Sequence, residues 1–266
     1  MLVSLHCNSM NCVAFMPAGI GFCKCRFEEL LRVSTVLGWY AFCCMSVLVP
    51  ICYNKKKPKG RKIMTRDQFI REYWNYYLML EKKFITTTLY VALSEDNFNT
   101  FSNEYVSQLQ LIGSELDVLF KQYCGFDLDE IKNISHYASS ILSSYPEIRQ
   151  QEIEVIGADM VIQPYKDWDS NRAKQSLTWW TAFDEIKHNR IGKTANASLK
   201  NVLNILGALF LIEMKFLKNI SAENNEPDIP NEESVLFTLR GWEFKYMSGG
   251  DAFIEFIDMA SDMLKK

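Results

Sequence analysis

Beyond Met64 the chain has a single cysteine, Cys124, and the whole 266-residue sequence has only three histidines. One cysteine excludes an intrachain disulfide within residues 64–266 and fits a reducing compartment. The GxxxxGK[ST] phosphate loop, the GxSxG nucleophile elbow, the HExxH zinc pair and any CxxC pair are all missing. Their absence removes the enzyme classes that those motifs mark and leaves no cofactor or metal to expect from a motif. Positive charge is also sparse in this part. Nine Lys and Arg against two Asp and Glu stand before residue 65, which leaves 20 basic against 30 acidic residues for the rest. So acidic a body repels a phosphate backbone, and any nucleic-acid contact has to be local.

The first 63 residues are of another kind: Cys7, Cys12, Cys23, Cys25, Cys43, Cys44 and Cys52 crowd there. Residues 33–53, VSTVLGWYAFCCMSVLVPICY, carry no charge and are followed by Lys55, Lys56, Lys57, Lys59, Arg61 and Lys62. That length suffices to cross a hydrocarbon core, and the basic flank would leave the body in the cytoplasm as a single-pass anchored protein. Pro50 and Gly38 weaken the span, and Met64-Thr65-Arg66-Asp67-Gln68 reads as the start of a cytosolic protein. Spurious upstream translation therefore stands beside the transmembrane reading. The cysteine spacing matches no zinc knuckle.

From residue 64 on, the pattern is mainly α. Thr65 with Gln68 is a capping signature, and Ile70, Tyr73, Tyr77, Leu80 and Phe84 repeat at helical steps, predicting a helix to about Leu93. A second helix begins at Ser102, carries Tyr105, Leu109, Ile112, Leu116 and Leu119 on one face, and stops at Gly125. The short connection between them predicts an antiparallel hairpin. Asp127 is expected to cap a third helix reaching Ser143, with Ile131, Ile134, Ala138 and Ile141 inward. Residues 152–162 alternate polar and apolar around Gly157 and predict a small β insert. A short helix from Leu177 to Asn189 then leads into a long one opened by Asn196 or Ser198 and running to about Asn219. Its apolar stretch Ile205–Ile212 is too short to span a bilayer and reads as the centre of a core. Residues 221–266 form a mixed C-terminal tail, with a strand over 235–239 and a closing amphipathic helix from Asp251.

The one titratable cluster at the mouth of a core helix is Asp184, Lys187, His188 and Arg190. At helical spacing Asp184 sits one turn from His188, so its carboxylate can orient the imidazole as a general acid or base. Arg190 offers a forked phosphate contact near the helix end, and Lys187 a point charge. Trp179 is a candidate for stacking on a base, while Trp180 and Phe183 share another face. A solvated helix end whose charges merely pair locally has the same residues.

Trp180, Asp184, Lys187, His188 and Arg190 feeding Leu199–Phe210 resemble bacterial members of the HEPN superfamily, over residues 65 to 220. The resemblance implies an up-down helical bundle over 64–220 with the small β insert and the tail 221–266 packed on it. It also implies a homodimer and an RNA-associated role in a defence or toxin-antitoxin system, with an antitoxin or other protein as partner. Many such domains are metal-independent ribonucleases, which would make His188 and Arg190 catalytic and Lys187, Asp184 and Trp179 substrate-binding. The family pair is an Arg followed after four to six residues by His, whereas here Arg190 follows His188. The other expectation is a non-catalytic interaction module that dimerises and binds a protein or nucleotide.

Overall fold

A computed structural model describes residues 64–246. Five helices and a three-stranded antiparallel sheet make up this part of the chain. The first helix, α1, runs over residues 66–87, through a π-helical stretch Ile70–Trp74 into Asn75–Thr87. Its start is the expected one, with the Thr65 hydroxyl accepting from the Gln68 amide at 3.2 Å. Its end comes six residues early. Thr86, Thr87 and Thr88 turn their hydroxyls back onto the carbonyls of Lys82, Phe84 and Ile85, competing with a continuing ladder.

Helix α2, Asn103–Cys124, is capped by Ser102 and closed by Gly125 at φ 77°, a left-handed conformation that glycine adopts without a Cβ clash. Helix α3, Ile134–Ser144, starts seven residues past Asp127. Asn133 takes the cap because its side chain accepts from Ser135 and His136 while the His136 ring returns to the Asn133 amide. Ile131, expected inside, is 98% exposed as a result. Helix α4 spans Thr178–Lys193 and α5 Leu199–Asn224, the latter opened by the Ser198 hydroxyl. Residues 101 and 198 pair in an isolated bridge, so α2 and α5 begin side by side.

Strands β1, Ile153–Val155, and β2, Met160–Ile162, are the expected hairpin, turned at Gly157 with φ 78°. Strand β3, Phe237–Leu239, pairs antiparallel with β1 on its other edge, giving the order β2-β1-β3. Insert and tail thus share one sheet. Ahead of β3, residues 227–236 lie along α1 as a strap. Arg66 donates to the carbonyls of Pro227 and Ile229, and the Trp74 indole donates to Glu232 at 2.7 Å. Glu81, buried, accepts from the hydroxyls of Tyr77 and Ser234 and the amides of Val235 and Leu236.

Helix α5 is the centre of the core: from Val202 to Leu217 it contributes eleven buried apolar side chains and the buried Gly207, against α1, α2 and α4. Among the described residues no helix is long and apolar enough to cross a membrane, since Lys200, Glu213, Lys215 and Lys218 interrupt even α5. The single-pass anchor is corrected accordingly: no described helix supports it, and residues 33–53 lie outside the described residues. The closing helix expected from Asp251 also lies outside them.

Candidate functional site

Helix α4 is held by its aromatic face. Trp179 is 2% exposed and its indole donates to the Pro164 carbonyl at 2.8 Å. Trp180, Phe183 and Ile186 are buried with it, and Trp180 meets Phe120 of α2 at 5.9 Å between ring centroids. Gly113 of α2 makes room for the Phe183 ring, where an added Cβ would come within 2.3 Å. This contact fixes the rotation of α4 and sends Asp184, Lys187 and His188 outward. The expectation that Trp179 would stack on a base is corrected, because Tyr165, Trp168 and Phe120 complete an aromatic layer around both tryptophans. Trp179 is therefore a core residue with no face left for a base.

The polar members do come together, with a competitor. His188 Nε2 lies 3.6 Å from Asp184 Oδ1, its side chain 69% exposed. The other carboxylate oxygen accepts from Lys174 Nζ at 2.5 Å. Lys174 precedes Asp184 by ten residues in an irregular loop, where no periodicity betrays it. The Lys187 ammonium stands 5.7 Å from the Phe183 ring centroid.

At Asn189 the backbone leaves helical geometry, with φ −146° and ψ 66°, at the point where the sequence places the helix end. Arg190 follows that break, exposed, with its side chain unpaired among the described residues and its carbonyl accepting from the Thr194 hydroxyl at 2.9 Å. Glu185 tethers the segment beyond the break. It accepts from Lys193 Nζ at 3.3 Å and from Asn196 Nδ2 at 2.5 Å, and Asn201 of α5 donates to the Asn196 carbonyl. Glu185 and Lys193 did not stand out in the sequence, and Asn196 did so only as a possible helix cap, because the partners are eight to eleven residues apart.

The α1–α2 connection closes the same end of the bundle, its carbonyls at Thr100 and Phe98 accepting from the first amides of α5. It leaves Tyr90 85% and Phe101 53% exposed, with Ile191 of α4 also in solvent. One end therefore carries Lys187, His188, Arg190, Lys193 and Lys200 together with exposed aromatic rings, beside Asp184, Glu185 and the exposed Glu95 and Asp96 of the connection. Such a surface can hold an anionic group and a flat apolar one. A shallow cavity of about 380 Å³ lies elsewhere, lined by Glu147, Gln150, Gln151, Glu152, Arg240 and Gly241. Arg240 there is committed to Glu152 and Glu154. No group of three or more potential metal ligands occurs among the described residues.

No protein-family model, curated protein or solved structure matches this chain.

Proposed function

We propose that residues 64–246 form a HEPN-like, RNA-associated unit of a defence or toxin-antitoxin system, working at the exposed end of α4. The observation that carries the reading is the solvent-facing His188, 3.6 Å from Asp184, with Lys187 and the unpaired Arg190 beside it on an otherwise acidic body. In this reading His188 takes the proton of a ribose 2′-hydroxyl as that oxygen attacks the adjacent phosphorus. The 5′-oxygen departs and regains a proton from the imidazolium, leaving a 2′,3′-cyclic phosphate. Lys187 and Arg190 offset the charge that grows on the phosphoryl oxygens. Tyr90 and Phe101 give unstacked bases a surface.

A second reading keeps RNA, nucleotide or a protein as a bound partner without catalysis. It is favoured by Lys174, which occupies one oxygen of Asp184, and by the Asn189 break between His188 and Arg190. Incubation of the full-length protein with total RNA, with and without a chelator, separates the two. Cleavage that survives chelation is the expected result. RNA retained but uncut in both conditions supports the second reading with RNA as the partner, and no retention at all removes RNA from both readings. Dimerisation of the unit is tested by sedimentation of the same preparation.

A further inference from the structure

Glu213 sits in the middle of α5, between Ile212 and Met214, at 0% exposure. Neither of its carboxyl oxygens has a hydrogen-bond partner. A buried carboxylate is normally matched by a cation or by several donors, as Glu81 is matched by four. The groups facing Glu213 offer no such match. From α2 comes Glu115, another acid, and from α1 comes the Tyr77 hydroxyl, already donating to Glu81 at 2.7 Å. No titratable group of α3, α4 or the sheet acts on it among the described residues. Of the cations on its own helix, Lys200 lies thirteen residues away at the helix start, Lys215 lies 4.4 Å from the Tyr145 ring centroid, and Lys218 donates to the Glu243 carbonyl.

An ionised carboxylate in such a place has lost water and gained nothing, so the group avoids its charge. We propose that Glu213 is a proton latch: the α1–α2–α5 core closes around its neutral carboxylic acid and loses stability as the solvent draws that proton away. Burial, and then the negative charge of Glu115, hold the acid above the ordinary carboxylate range. The unfolded chain ionises at the ordinary value, so between the two values the native state holds the extra proton. Stability therefore falls as pH rises through that window and levels off above the native value.

Thermal melts of the full-length protein and of Glu213→Gln between pH 5 and pH 8 read this directly. Glutamine keeps the shape and cannot ionise. The gap in Tm in favour of Glu213→Gln should widen by roughly 3–5 °C per pH unit until the native acid ionises. A gap that stays constant with pH, whatever its sign, overturns the latch. Should the glutamine variant fail to fold, infrared spectra at pH 6 and pH 7 decide on the wild type and Glu115→Gln, which leaves Glu213 as the acid in question. A C=O stretch of a protonated carboxyl in both proteins is expected, fading at a lower pH in Glu115→Gln because the neighbouring charge is gone, and its absence from Glu115→Gln at pH 6 as well as pH 7 overturns the proposal.

Discussion

Within α4, Trp179 and His188, between two and three turns apart, have opposite fates, and each can be tested separately. Trp179 is anchored by its ring and by one hydrogen bond to Pro164. Trp179→Phe keeps a ring but strands that carbonyl, so urea denaturation should register a loss of about 1–2 kcal/mol, with RNA retention unchanged. Weaker retention at undiminished stability would return the indole to the substrate. Lys174 and Asp184 are both substantially exposed, at 41% and 32% of their side chains, so solvent screening discounts their pair. Lys174→Met should shift stability by less than about 1 kcal/mol. The caps at Thr65 and Ser102 were legible because cap and helix lie within three residues. Lys174 and Trp179 were not, because what decides their roles arrives from ten and fifteen residues away.

Helices α1, α2 and α5 announced themselves through apolar spacing, and the β hairpin through alternation around Gly157. What the pattern could not convey is competition between equally good local choices. Asp127 and Asn133 are both plausible caps, and the returning bond from the His136 ring gives Asn133 the place. The pairing of β3 with β1 is equally silent in the sequence, joining residues more than eighty apart. The strap depends on one buried carboxylate: Glu81→Ala would strand the donors of Tyr77, Ser234, Val235 and Leu236. The expected loss is on the order of 3 kcal/mol, with hydrogen exchange rising first in residues 232–239. Uniform exchange across the chain would show that the strap does not open on its own. At the α2–α4 contact, Gly113→Ala forces a methyl against the Phe183 ring. Destabilisation of about 1–3 kcal/mol by urea denaturation is predicted, and a neutral effect would mean that α4 shifts freely on α2.

At the scale of the whole molecule, exposure and a few local cations of α4 and α5 mark where an anion can be met. The body is acidic, and at the end built from α4, the start of α5 and the α1–α2 connection the exposed cations Lys187, Arg190 and Lys200 stand with exposed rings, while Glu95 and Asp96 lie at the same end. Burial divides the aromatics of α4 from its ionisable residues, so activity and stability should separate under mutation. RNA cleavage and Tm, measured on the same full-length preparations of wild type, His188→Ala and Arg190→Ala, test this most directly. Each variant should lose cleavage by about 100-fold or more, as loss of an acid/base or phosphate contact does. Their Tm should move by no more than about 2 °C, because an exposed substitution changes stability by about 0.5 kcal/mol at most. Full cleavage by both variants, or a loss of cleavage matched by a large fall in Tm, would contradict the placing of the site on the exposed face of α4.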